Sequence, residues 1–140
     1  DQGLIGTPAN LAEPGKRMLS SMTPTILAKD GKLFMVTGTP GGRTIINTVL
    51  QTILNVVDHG MNAQAAVDAG RIHHQWMPDV LSYEAQGFSP DTLKALEARG
   101  HALNQKVNQG AAEVIVNNVE AGVLEGGVDR RVPDGGIAVW

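Results

Sequence analysis

Gly38-Thr39-Pro40-Gly41-Gly42-Arg43-Thr44 is the stretch of this sequence best suited to chemistry. It lies where a strand-like run gives way to a long helical one, and the unpaired N–H groups of a helix start favour negative charge. Two adjacent glycines, Gly41 and Gly42, let a ligand approach the main chain with no Cβ in the way, which suits an oxyanion hole for acyl transfer. A phosphate loop needs four residues between its glycines and then Gly-Lys-Ser/Thr; Gly38 and Gly42 enclose only three, and Arg43 replaces the lysine. Nucleotide binding is therefore rejected. Taken alone, a Pro-Gly-Gly turn before a helix is ordinary turn chemistry.

Ser20-Ser21, in KRMLSSMTP, could supply two hydroxyl donors to a carboxylate, with Lys16 or Arg17 nearby to add charge. Unaided, such a pair before a strand reads as a local side-chain-to-backbone turn. His73-His74 suggests a metal, but strand neighbours point to opposite faces and cannot bind one ion together. His59 and His101 adjoin glycines at helix ends, where capping is the default role. Asp79 and Asp91 are assigned to a turn and a helix start, and Glu84 to a strand surface, so no carboxylate pair is expected. Trp76 and Met77 read as core or interface filling.

These residues must be positioned by elements that the pattern also suggests. Residues 1–22 mix Gly, Pro, Asn and Ser without an apolar period and read as an extended surface segment. Strands are expected over 25–29 and 32–37, joined at Asp30-Gly31, a strong hairpin signal. Ile45, Ile46, Val49, Leu50, Ile53, Leu54 and Val57 then form a helical stripe ending at Gly60. A second helix should begin at Asn62 as N-cap and end near Gly70, with Ala63, Ala66 and Val67 inward. Residues 71–76 and 80–84 are strand-like. Ser89-Pro90-Asp91 has the N-cap, N1 proline and acidic first turn of a third helix, closed by Gly100. Two strand-like runs, AAEVIVNNV and GVLEGGV, flank a turn at Glu120-Ala121-Gly122 and precede a Gly-rich tail. This order favours an antiparallel α+β layered fold over a regular βαβ array. No internal repeat is evident.

The 140 residues are 42% hydrophobic and 18% charged, a globular balance that fits one core. A net charge of −3 with scattered Lys and Arg provides no basic stripe for nucleic acid. No cysteine is present, which removes disulfides, thiolate metal sites and cysteine nucleophiles. Asn47, Gln51, Asn55 and Asp58 interrupt the most apolar segment, so no membrane span is expected. The first residues form no secretion signal and contain no initiator methionine, which suggests the middle of a longer polypeptide.

Read together, GKRMLSSMTPTI, GTPGGRTIINTVLQ, RIHHQWMPD and GFSPDTLKALEARGH resemble the small subunit of bacterial γ-glutamyltranspeptidase, from about Asn10 to Asp129-Arg130-Arg131. Several ordered motifs at similar spacing outweigh the ordinary readings of the serines and glycines. The resemblance implies an N-terminal-nucleophile hydrolase of αββα architecture, made as a precursor that cleaves itself into a large and a small subunit. It implies that Ser20 and Ser21 bind the α-carboxylate of the γ-glutamyl group, and that Gly41 and Gly42 give the oxyanion-hole amides. Glutathione or another γ-glutamyl compound would be the donor, and water or an amino acid or peptide the acceptor. No cofactor or metal is implied. Residues 1–22 would carry the serine pair, and 23–140 would be the carboxy-terminal portion of an incomplete domain. The family's catalytic threonine would precede Asp1, and Thr7 is no substitute, so the chain is expected to be inactive alone. Alternatives are a cephalosporin-type acylase or capsule transpeptidase on the same scaffold, or a non-catalytic glutamyl-binding module. Family habit suggests the bacterial periplasm or secretion.

Overall fold

Asp30-Gly31 closes the first hairpin with φ values of 52° and 73°, the two positive angles that a type I′ turn requires. In the computed structural model, which describes residues 8–138, this turn joins β1 (Thr25–Lys29) to β2 (Lys32–Gly38) in antiparallel register. The pairing runs from Thr25 opposite Thr37 and slips once between Leu27 and Ala28. β2 then takes a partner from far along the chain, β6 (Glu113–Asn118), which pairs in turn with β7 (Val123–Val128). The resulting four-stranded sheet has the order β1-β2-β6-β7 and is antiparallel throughout.

Alternation along these strands separates two faces. Met35, Val114 and Val116 point to one side and are buried with Val56, Ala63, Ala66, Val67 and Ala112. That side is covered by α1 (Ile45–Val57) and α2 (Ala63–Asp68). On the other side Ile26, Val36 and Ile115 line up across the register. Among the described residues no helix covers this side, and Ile26 is 74% exposed. Among the described residues the four-stranded sheet thus carries one helical layer. The chain's α+β class agrees with the sequence expectation.

α1 spans the expected residues but buries a narrower face than its stripe suggests. Ile45, Val49 and Val56 are buried together with Thr48 and Thr52, whereas Ile46, Leu50 and Val57 are about half exposed. Thr52 can be buried because its hydroxyl donates to the Thr48 carbonyl at 2.9 Å, which satisfies the group inside the helix. α2 begins as expected, with the Asn62 side chain accepting from the Ala65 N–H at 2.8 Å.

A second, three-stranded sheet departs from the antiparallel expectation. β3 (Ile72–His73) pairs antiparallel with β4 (Leu81–Glu84), but β4 pairs parallel with β5 (Leu103–Lys106) across the crossover helix α3 (Pro90–Ala98). β5 was not expected because Leu103-Asn104-Gln105-Lys106 has one apolar residue and no alternation; main-chain pairing at the sheet edge defines it. The strand expected over 71–76 shortens to two residues, since Trp76 adopts a φ of 69° that no strand tolerates. Trp76 and Met77 are 78% and 44% exposed, so they do not fill the core of the described residues.

Candidate functional site

Gly38 ends β2, and the chain enters a single 3-10 turn, Gly42–Thr44, before α1 begins at Ile45. Gly41 has φ 146° and Gly42 φ 56°. Both angles lie where a side chain is strained, so the turn depends on glycine at these two positions. The Gly41 carbonyl accepts from the Thr44 N–H and the Thr44 hydroxyl, each at 3.1 Å, and the Gly42 carbonyl accepts from the Ile45 N–H. Among the described residues neither the Gly41 N–H nor the Gly42 N–H donates a hydrogen bond, and both glycines are exposed. Two outward amides at a helix start form a natural anion site.

Ser21 reaches this turn. Its hydroxyl donates to the Gly42 carbonyl at 2.8 Å across 21 residues of sequence. Ser20 lies beside it, and its oxygen accepts from the Met22 N–H at 3.2 Å, which leaves its proton available to a ligand. The serine pair therefore makes the local turn read from sequence, and Ser21 also meets Gly42. Lys16 is held by Glu13 at 3.7 Å.

Glu84 is the main correction. Assigned above to a strand surface, it is 3% exposed, because β4 runs beneath the segment before β6 and turns its carboxylate inward. It joins a cluster of two buried carboxylates, Glu84 and Asp129, with the buried Arg71 and the nearly buried Arg131. Arg131 meets Glu84 through Nε at 2.8 Å and through Nη2, and bridges to Asp129 at 3.0 Å. Arg71 meets Asp129 at 2.7 Å and donates to the carbonyls of Val67 and Gln109. Burial pushes Asp129 up, but the Arg131 amide and the two guanidinium groups more than offset this and hold its carboxyl below the usual 3.8. Burial and the neighbouring Arg131 lower Arg71, against the pull of Asp129 and Glu84. The charges cancel and each carries several hydrogen bonds, the condition for burying ions.

This cluster supports the glycine turn through residues 109–112. The Gln109 N–H donates to Glu84 at 2.6 Å, and the Ala112 N–H donates to Asp129 at 2.7 Å. Between them, a Cβ built on Gly41 would lie 3.3 Å from the Gly110 Cα, and the Ala111 N–H donates to the Thr39 hydroxyl at 2.8 Å. Sequence reasoning missed the cluster because its members lie in three separate segments, around Arg71, Glu84 and Asp129–Arg131. The Asp129-Arg130-Arg131 run was the only signal for it, and it names no partner.

Only His73 lies in a strand, and His74 follows it. His73 meets Gln75 and His74 meets Asp79, each at 2.9 Å. The main chain at His59 and His101 closes the preceding helices. Among the described residues no histidine bonds a serine or threonine hydroxyl, and no cluster of metal-binding side chains occurs. No helix among them is long and apolar enough to cross a membrane. Thr7 lies outside the described residues.

Comparison with known proteins adds a sequence match to this geometry. A family model described as gamma-glutamyltranspeptidase matches residues 2–139. The glutathione hydrolase proenzyme of Escherichia coli K12 is 51% identical over 132 residues, which is 94% of this chain and 22% of that protein. The solved γ-glutamyltranspeptidase of Helicobacter pylori superposes with a TM-score of 0.84 at 43% identity, covering 93% of this chain and 71% of that one. A cephalosporin acylase from Bacillus halodurans superposes with a TM-score of 0.82 at 30% identity, covering 92% of this chain and 24% of that one. The chain spans about a fifth of the length of the curated relatives it matches.

Proposed function

The chain belongs to the γ-glutamyltranspeptidase family, and from that premise we propose that it is the substrate-holding part of an enzyme that hydrolyses or transfers the γ-glutamyl group. In this reading Ser20 and Ser21 receive the α-carboxylate of the donor, and the Gly41 and Gly42 amides receive the oxyanion that forms as the γ-amide is attacked. The attacking threonine lies outside these residues and takes the glutamyl group as an ester. Water or an amino acid or peptide acceptor then releases it. Glutathione is the natural donor to test first, a large subunit of the same precursor is the expected partner, and the periplasm or the outside of the cell is the expected location.

The observation that carries this reading is the contact between the Ser21 hydroxyl and the Gly42 carbonyl. It puts Ser21 against the glycine turn while the Gly41 and Gly42 N–H groups are unpaired within the described residues, which supports a shared site. When a carboxylate arrives, the Ser21 proton can turn from a neutral carbonyl to a charged oxygen, a stronger bond.

Substituting Gly42→Pro in the full-length protein tests it. Proline deletes the amide and cannot adopt a φ of 56°. Loss of an oxyanion donor typically lowers kcat by about 10²–10³-fold. Unchanged release of p-nitroaniline from γ-glutamyl-p-nitroanilide would remove the oxyanion assignment. The likeness to a cephalosporin acylase supports a second reading, acylase activity on a different side chain. Preference for a cephalosporin-type amide over the γ-glutamyl substrate would favour it.

A further inference from the structure

The geometry points to Thr39 and Thr44 as positioning residues that aim the Gly41 and Gly42 amides by clamping the carbonyls of the same two peptide units. This rests on the acyl-transfer reading above and adds to it the residues that orient the donors. The Thr39 hydroxyl donates to the Pro40 carbonyl at 2.6 Å, and the Thr44 hydroxyl donates to the Gly41 carbonyl at 3.1 Å. Pro40 C=O and Gly41 N–H belong to one peptide unit, and Gly41 C=O and Gly42 N–H to the next. Both units are trans. In a planar trans peptide the C=O and N–H point in opposite directions, so holding one oxygen sets the direction of the opposite hydrogen. An oxyanion hole gains from donors already fixed before charge develops, and two glycines in succession are the residues least able to fix themselves.

The clamp is itself anchored. Thr39 accepts from the Ala111 N–H at 2.8 Å, and residues 109–112 are held to Glu84 and Asp129 of the buried cluster. Gly110 fits under the turn only without a side chain, since a Cβ there would come within 2.9 Å of the Thr39 hydroxyl and 3.0 Å of the Thr48 hydroxyl. A Cβ on Gly41 would lie 2.6 Å from the Thr44 hydroxyl. Each clamping hydroxyl therefore fills space that a larger residue on the opposing glycine would take. In this proposal both threonines act through the peptide units they hold.

The test uses the full-length protein with Thr39→Val, Thr44→Val, the rescue variants Thr39→Ser and Thr44→Ser, and Thr92→Val on the remote helix α3 as control. Valine keeps the shape and removes the hydroxyl. The expected result is a fall in kcat of about tenfold for each valine variant, less than loss of a donor itself, with KM for γ-glutamyl-p-nitroanilide held within about twofold. Each serine variant should restore kcat, and Thr92→Val should leave both constants unchanged. Thr44→Val retains the Thr44 N–H bond to the Gly41 carbonyl, so it keeps the test valid if Thr39→Val folds poorly. Melting curves separate loss of fold from loss of rate. Unchanged kcat in Thr44→Val and in folded Thr39→Val, alongside an inactive Gly42→Pro, would overturn the clamp while leaving the oxyanion turn in place. An active Gly42→Pro would overturn both.

Discussion

The glycine turn and the arginine-carboxylate cluster are both dense in polar groups, and they treat those groups in opposite ways. Around Glu84 and Asp129 the carboxylates are matched by guanidinium and amide donors inside the fold. At Gly41 and Gly42 two amides have no partner among the described residues, and they stand in solvent where water can serve them. Buried polar groups must be satisfied inside the fold to be tolerated, whereas exposed ones can be served by water and remain open to a ligand. The cluster gives stability and position; in the function proposed above, the turn gives binding. Residues 109–112 join the two, so the rigid region sets the geometry of the open one.

The comparison can be broken most forcefully at Glu84. Glu84→Ala leaves Arg131 without one carboxylate and two main-chain amides without an acceptor, and should destabilise the full-length protein by about 3–5 kcal/mol, read from urea unfolding. A loss below about 1 kcal/mol would show that the cluster is not the anchor described here. At the open site the effects should divide the other way. Ser20→Ala with Ser21→Ala should leave the urea midpoint nearly unchanged, because Ser20 is exposed and Ser21 is only half-buried. The same pair should raise KM for the γ-glutamyl donor at least tenfold, since bonds to a charged group are worth about 1.5–3 kcal/mol each. A carboxylate held equally in ground and transition states is uniform binding, so kcat should hold; a change confined to kcat would assign the serines another role.

The smallest effect is the pH dependence of the cluster. The Asp129 carboxyl titrates below its ordinary 3.8 in the fold, so the unfolded chain binds the proton first as pH falls. Its contribution to stability is fully present above the unfolded value and is lost as pH drops through the lower folded one. Unfolding free energy measured from pH 5 down to pH 2 should therefore decline, and Asp129→Asn should flatten that decline. An identical slope in wild type and variant would remove Asp129 as its source.

Local chemistry was readable wherever one short segment sets its own conformation. Asp30-Gly31 closed its hairpin, Asn62 and Ser89 capped the expected helices, and the apolar stripe placed α1. The width of that stripe misled, because Ile46 and Leu50 are apolar without being buried among the described residues. β5 gave no signal, since an edge strand made of Asn, Gln and Lys is defined by pairing to β4.

For the site, the sequence alone determined the materials: adjacent glycines before a helix, two serines upstream, and the resemblance that related them. It could do so because φ preference and donor chemistry belong to the residues themselves. Only the tertiary structure decided that Ser21 lies 2.8 Å from the Gly42 carbonyl, that Glu84 is buried with Arg71, Asp129 and Arg131, and that Ala111 holds Thr39 beside the turn. The Ser21 and Ala111 contacts join residues 21 and 72 positions apart, and no local pattern encodes them, because burial and pairing over such separations arise from how sheets and helices pack.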